Sequence, residues 1–298
     1  MSIPYPFKFN TLDQPASSGD GEITSLTIKL ENVRGRIPSA QASRLRTMML
    51  EAHNDNSKII AHACSYDGLS SRLVEEAGFP IVFLAGYSDL CKKIQEAVRQ
   101  VKVPVMADGD TGYGSPMNVK RTVESFAAAG AAGIMIEDQT WPKRCGHTKG
   151  KSVVSRGEAY ALHGWGEALT RAKEFKRIGD DAVFVEALPD RESMQRCVQE
   201  IGIPTFANNI EGGKTENLSA KDLAELGFCA VAYPWTLVAA KLKSIRESLD
   251  ALKKSFTKGA PPMILSYAEV CEGVGFNKYW ERETRYEFNQ DGLVNPSK

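Results

Sequence analysis

Seven short apolar runs, each followed by helical periodicity, constrain this 298-residue chain more than any other feature. They are KIIAHACS (58–65), PIVFLAG (80–86), VPVMADGD (103–110), AGIMIED (132–138), DAVFVEAL (181–188), IPTFANNIE (203–211) and CAVAYPW (229–235). Between them SSRLVEEAG, NVKRTVESFAAAG, WGEALTRAKEFKRIG, RESMQRCVQEIG and SAKDLAELG read as helices, most closing on a glycine suited to a left-handed C-cap. Continuous apolar strands alternating with helices are buried on both faces, the pattern of a parallel sheet. Polar residues gather at the C-terminal ends of the runs, as in a (β/α)8 TIM-type barrel, whose active site is built there. A doubly wound sheet has no support from a GxGxxG fingerprint. The barrel lacks its fifth strand, because only a polar stretch and one helix lie between AGIMIED and DAVFVEAL. It also lacks the loop after the second strand, where GYSDLCKKIQEAV passes straight into a helix.

Residues 1–42, rich in Ser, Pro, Gly and Asp, read as an N-terminal extension, and 43–298 as the barrel with its C-terminal helices. With 42% hydrophobic side chains the chain can bury a sizeable core. Lys+Arg and Asp+Glu balance at 37 each, which argues against a nucleic-acid footprint and an electrostatic membrane anchor. No apolar run approaches the roughly 18 residues of a membrane span, and MSIPYPFKFN lacks the pattern of a leader. A cytoplasmic protein with a small-molecule partner is expected. The six cysteines form no CxxC pair, so most are expected reduced and buried.

Two strand ends carry clustered acids. ADGDTGYG places Asp108 and Asp110 two residues apart, and IED places Glu137 and Asp138 at the next strand's end. Hard oxygen ligands on neighbouring strands suit Mg²⁺, with Mn²⁺ as the alternative, and the scarcity of histidine argues against zinc. The bland reading of DGDTGYG is a polar turn with Asx hydrogen bonds. Glu137 opens EDQTWPKRCGHTKGKSVVSR (137–156), where Cys145 is surrounded in sequence by Lys143, Arg144, His147, Lys149, Lys151 and Arg156. Positive neighbours favour thiolate and bring a cysteine below its ordinary pKa of about 8.5. A lone cysteine is usually inert core, but this charged, glycine-containing stretch is poor core material. Composition leaves nucleophile and proton donor both open.

In its motifs the chain resembles the isocitrate lyase/phosphoenolpyruvate mutase superfamily over residues 43–288. ADGDTGYG, IEDQ, KRCGH, VEAL, ANNIEGGKT and YPWT carry the resemblance in order, and KRCGH with DGDTGYG is a highly specific pair. The resemblance implies a Mg²⁺-dependent barrel in which acids matching Asp108, Asp110 and Glu137 hold the metal largely through waters, beneath a mobile KRCGH gate. Cys145 matches the lyase branch rather than the phosphonate mutases. The implied reaction is retro-aldol cleavage of a 2-hydroxydicarboxylate, with Mg²⁺ stabilising the keto-acid product and Cys145 protonating the carbanion. Arg144 and His147 join Cys145 as catalytic residues, and Gly146 contacts substrate. Tyr66 is the candidate for hydroxyl contact or base, with simple ring packing as its bland alternative. Backbone N–H groups of Ala85, Gly86 and Tyr87 are candidates to hold a substrate carboxylate. Glu186, Asn208 and Glu211 match polar strand-end positions, with hydrogen bonding to substrate implied and support of the residues that touch substrate as the alternative.

Within the superfamily, the 2,3-dimethylmalate lyase and oxaloacetate hydrolase group is the nearest in pattern. The hydrolases carry a serine near the last strand's end, where Pro234 stands here, and this favours a lyase. Two departures bear on activity. Members carry a further metal-site aspartate in a GLPD-like turn, absent here, where Asp89 reads as a helix N-cap. They also carry an ARTDA-like fifth strand with a carboxylate-binding arginine, absent between Tyr160 and Gly164 and not obviously replaced by Arg156 or His163. Omission of exon sequence would account for both gaps. Oxaloacetate hydrolysis is the alternative activity, and a shortened non-catalytic homologue acting through oligomerisation is the alternative of another class. For the aromatic-rich C-terminal helices the resemblance implies exchange between subunits and hence a homodimer or homotetramer, with packing on the chain's own barrel as the bland alternative.

Overall fold

A computed structural model of the chain describes residues 39–85, 90–138, 164–210, 215–255, 258–260 and 264–286. In chain order the elements are α1 (Ala40–Asn54), β1 (Ile60–Ser65), α2 (Gly68–Glu76), β2 (Val82–Leu84), α3 (Leu90–Gln100), β3 (Val105–Asp108), α4 (Pro116–Ala129), β4 (Gly133–Met135), α5 (Trp165–Ile178), β5 (Val183–Phe184), α6 (Arg191–Ile201), β6 (Thr205–Asn208), α7 (Ala220–Glu225), β7 (Ala230–Tyr233), α8 (Thr236–Ser255), α9 (Tyr267–Val274) and α10 (Phe276–Glu283). Every apolar run contains a strand, shorter than the run itself.

All seven strands are parallel, in the order β4-β3-β2-β1-β7-β6-β5. β1 pairs with both β2 and the last strand, β7. That first-to-last pairing is the closure of a barrel, not the arrangement of an open doubly wound sheet. Among the described residues the sheet is interrupted only between β4 and β5. The expected fifth strand belongs at that interruption, and residues 139–163, which contain its position, lie outside the described ones.

Local chemistry explains where the helices begin and end. Asp67, Asp190 and Ser219 cap α2, α6 and α7 through reciprocal capping boxes, and Pro116 opens α4 at a position where its missing N–H costs nothing. α4 stops at Gly130, whose φ of 102° is available to glycine without a Cβ clash.

Side-chain alternation divides the core. On one face of the sheet Ile60, Cys64, Phe83, Met106, Phe206 and Ala230 pack on Leu45, Met49 and Ala52 of α1. The opposite face meets the outer helices in two clusters, one around Val74, Ile94 and Phe126 and one around Met194, Cys197 and Phe228. Leu45 explains a glycine in β4, since a Cβ at Gly133 would come within 2.8 Å of Leu45 Cδ2.

Residues 238–298 form a second compact unit. Within it α8 exposes Leu242, Ile245, Leu249 and Leu252, three and four residues apart on one helical stripe. The Phe276 and Trp280 rings of α10 lie 5.8 Å apart, and both side chains are exposed. Among the described residues no helix is long and apolar enough to cross a membrane.

Leu45 is 2% exposed and wedged against the barrel strands. Leu45→Ala is therefore expected to cost about 2–5 kcal/mol in urea unfolding, the range for a large-to-small change that leaves a cavity.

Candidate active site at the C-terminal strand ends

Register gathers the first group of candidate residues. Ser65 pairs with Leu84, Leu84 with Ala107, and Asp108 with Met135. One step further along each strand, Tyr66, Ala85 and Asp108 stand in a row at the sheet's C-terminal edge. The Ala85 N–H donates to Ser65 O at 3.0 Å, so this donor is engaged in the ladder. Gly86 and Tyr87, the other proposed carboxylate donors, lie outside the described residues, as does Asp89.

The DGDTGYG turn is built tightly. Asp108 Oδ1 accepts the Asp110 N–H at 2.9 Å, the Asx bond expected of a polar turn. Asp110 has φ 55°, a left-handed conformation that aspartate tolerates. The turn is pinned from two sides, by the Gly109 N–H on Met135 O at 2.7 Å and by the Thr122 hydroxyl on Gly112 O at 3.1 Å. A side chain at Gly112 would run into Val119, at 2.5 Å. The Glu137 N–H donates to Asp110 O at 2.7 Å, tying the end of β4 to the same turn. Asp108, Asp110 and Glu137 thus stand on adjoining strand ends.

Among the described residues no group of three or more acidic, histidine or cysteine side chains converges to hold a metal ion. Mg²⁺ keeps several waters and takes one or two carboxylates directly, so these spaced hard oxygen donors fit that ion in kind and do not form a closed all-protein cage.

Asp138 behaves differently from its neighbour. Its Oδ2 accepts from Arg171 Nη1 of α5 at 2.9 Å, and Arg171 Nη2 also reaches Glu167 Oε1 at 2.7 Å. Burial raises the Asp138 carboxyl above its ordinary range, with the Arg171 hydrogen bond opposing that rise. Tyr66 is also shifted: burial, and then the Asp67 carboxylate, raise its phenol, which favours a hydroxyl that donates over a phenolate base.

A second group lies on the other half of the strand order. Glu186, Ala187, Asn208 and Thr215 line a cleft together with Phe184 and Phe206. Ala187 has φ 61°, which costs an L-residue roughly 1–2 kcal/mol. Its N–H donates to Glu186 Oε1 at 3.3 Å, so the strained turn orients that carboxylate. Pro234 follows β7 directly and is half-buried. Arg144, Cys145, Gly146, His147 and Glu211 lie outside the described residues. Of the other cysteines, Cys64, Cys197, Cys229 and Cys271 are buried and Cys91 half-buried, all as free thiols. Burial pushes Cys64, Cys197 and Cys229 up to about 12, Cys64 with help from the Asp108 charge.

Sequence reading missed His62. It is fully buried on β1, stacked on Phe83 at 5.3 Å, and among the described residues neither ring nitrogen has a hydrogen-bond partner. A lone histidine in an apolar run gives no signal beyond its presence.

Parallel strands joined first to last, with polar groups collected at their C-terminal ends, are the scaffold of a barrel enzyme. The phosphoenolpyruvate phosphomutase family profile matches residues 48–253, and the chain belongs to the phosphoenolpyruvate mutase/isocitrate lyase superfamily. It is similar to the petal death protein of Dianthus caryophyllus (31% identical, covering 74% of this chain and 83% of the relative) and to the 2,3-dimethylmalate lyase of Eubacterium barkeri (28%, covering 82% and 98%). Among solved structures, 2,3-dimethylmalate lyase superposes with a TM-score of 0.73 at 25% identity, covering 86% of this chain and 99% of that one. Oxaloacetate acetylhydrolase bound to 3,3-difluorooxalacetate superposes at 0.72 with 26% identity, covering 83% and 97%. The petal death protein alignment runs over 264 positions while covering 74% of a 298-residue chain, so many of its positions have no residue on this side.

Burial pushes the His62 imidazole from 6.5 down to about 3. The unfolded chain therefore binds the proton first as pH falls. Stability from this group is complete above about 6.5 and declines by about 1.4 kcal/mol per pH unit towards 3. Replacing it in His62→Leu is expected to flatten the dependence of urea midpoints between pH 6 and 4 by roughly one proton's worth; an unchanged slope would show that His62 is not buried neutral.

Proposed function

We propose that the chain is a Mg²⁺-dependent carbon–carbon lyase that cleaves a branched 2-hydroxydicarboxylate, of the 2,3-dimethylmalate or methylisocitrate kind, into an α-keto acid and a carboxylate. The row of Tyr66, Ala85 and Asp108 at the barrel mouth, with Asp110 and Glu137 hydrogen-bonded backbone to backbone beside it, is the observation that carries this reading. The likeness to 2,3-dimethylmalate lyase supports it.

In this reading Asp108, Asp110 and Glu137 hold Mg²⁺, directly or through waters, with Mn²⁺ able to replace it. The ion, when bound, supplies Lewis-acid stabilisation to the keto-acid oxygens. Tyr66 donates a hydrogen bond to the substrate hydroxyl, and the Gly86 and Tyr87 amides hold a carboxylate. Glu186, Asn208 and Glu211 complete the polar wall, and Pro234 leaves the site without a hydroxyl at the last strand. When the hydroxyl proton passes to solvent and the C–C bond breaks as the keto group forms, the bonding pair stays on the carbon next to the leaving carboxylate. Cys145 gives its proton to that carbon, with Arg144 and His147 offsetting the fragment's charge and Gly146 at the substrate.

Oxaloacetate acetylhydrolase, at similar likeness, supports a hydrolytic alternative. A non-catalytic homologue is supported by the alignment gaps, whose extent fits loss of the second-strand loop and of the fifth strand. The apolar stripe of α8 and the exposed aromatics of α9 and α10 support a homodimer or homotetramer; a cytoplasmic location is part of the same proposal.

Keto acid should form from 2,3-dimethylmalate or methylisocitrate with Mg²⁺ present, disappear with EDTA, and fall about 10²–10⁴-fold in Cys145→Ala, the usual contribution of a positioned proton donor. A folded, Mg²⁺-supplied sample that turns over neither these nor oxaloacetate would sink the lyase reading in favour of the non-catalytic one. Light scattering should give a mass at a multiple of 32.7 kDa; a monomer at all concentrations would remove the oligomer.

A further inference from the structure

We infer that Arg171 is a positioning residue for the divalent-ion site, acting through Asp138 on Glu137. The inference rests on the metal reading above. Met135 packs with the cluster that faces α1, and Ile134 with the cluster under the outer helices. Continued past the strand end, that alternation sends Glu137 towards the mouth and Asp138 outwards. Asp138 does meet an outer helix there, through Arg171 of α5, 33 residues further along the chain.

The guanidinium spans two carboxylates. Nη1 bonds Asp138 Oδ2 at 2.9 Å, while Nε and Nη2 bond Glu167 Oε1 at 2.8 and 2.7 Å. Both side chains of the Arg171–Asp138 pair are shielded, at 21% and 28% exposed, whereas Arg177 and Glu174 on the same helix stand at 70% and 54%. A shielded, charge-assisted pair holds geometry that an exposed one does not.

The position gives the pair its consequence. Among the described residues β4 has a ladder partner only on the β3 side. Its C-terminal end is held on that side by the Glu137 N–H to Asp110 O, and on the other by Arg171. Releasing Asp138 would remove one of these two restraints on the strand end that carries Glu137. Groups that orient metal ligands from outside typically cost 10–100-fold in affinity when lost.

Mn²⁺ binding to the full chain, read by loss of the free-ion EPR signal, tests this without turnover. Arg171→Met and Asp138→Asn are each expected to weaken binding about tenfold, the double variant no further, and Arg171→Lys to recover part of the loss. Arg177→Met, which removes the exposed pair, should bind as wild type. If Arg171→Met does not fold, Asp138→Asn, equal in volume, carries the test. Variants binding within about twofold of wild type would overturn the positioning role while leaving the metal site intact. A wild-type chain that leaves the Mn²⁺ signal unchanged would overturn the metal reading and this inference with it.

Discussion

The pairing of Val105–Asp108 with Gly133–Met135 sets Asp108 opposite Met135, and the acidic mouth depends on that register. Strand side chains alternate, so a slip of one residue would turn Met106 and Asp108 to the helix side and put Ala107 against α1. The register is fixed from below by packing. Gly133 leaves just the space that Leu45 and Met106 occupy, and any larger residue brought there by a slip would meet Leu45. The carboxylates at the top are thus aligned by apolar contacts at the bottom, and neither end of the strands is independent of the other.

Much of this was legible in the sequence because it rests on local periodicity. Apolar runs predict strands, and the five helix-closing glycines, Gly78, Gly130, Gly179, Gly202 and Gly227, all adopt positive φ. The acids at 108, 110 and 137 could be assigned to neighbouring strand ends from the alternation of strands and helices alone. What sequence did not supply was tertiary. His62 looks like any polar residue in an apolar run until its neighbours are known to be Phe83 and Phe206. Asp138 reads as a partner of Glu137 until Arg171 is seen to claim it, although strict alternation would have separated the two. The Ala85 amide, a candidate for substrate, is committed to Ser65 because β2 continues its ladder one residue past its last strand position.

Burial sorts the titratable groups. In the barrel and its helix layers, desolvation keeps thiols protonated and imidazole neutral, since neither charge finds a partner there. Cys64 shows how strong the sorting is: it lies two positions below Tyr66 and still belongs to the core. Any proton transfer that the proposed reaction needs at neutral pH must therefore come from side chains outside these buried layers. The cationic surroundings of Cys145 in the sequence are the opposite of those around Cys64.

Strand length bears on self-association. Long, flat, unpaired strand edges template aggregation, because they offer a row of successive backbone donors and acceptors to another chain. No described strand of this sheet exceeds six residues, and the two at the ends of the described order, Gly133–Met135 and Val183–Phe184, have three and two. Strands so short present few successive amides to a foreign strand in register, a safeguard against sheet-to-sheet polymerisation that rests on brevity.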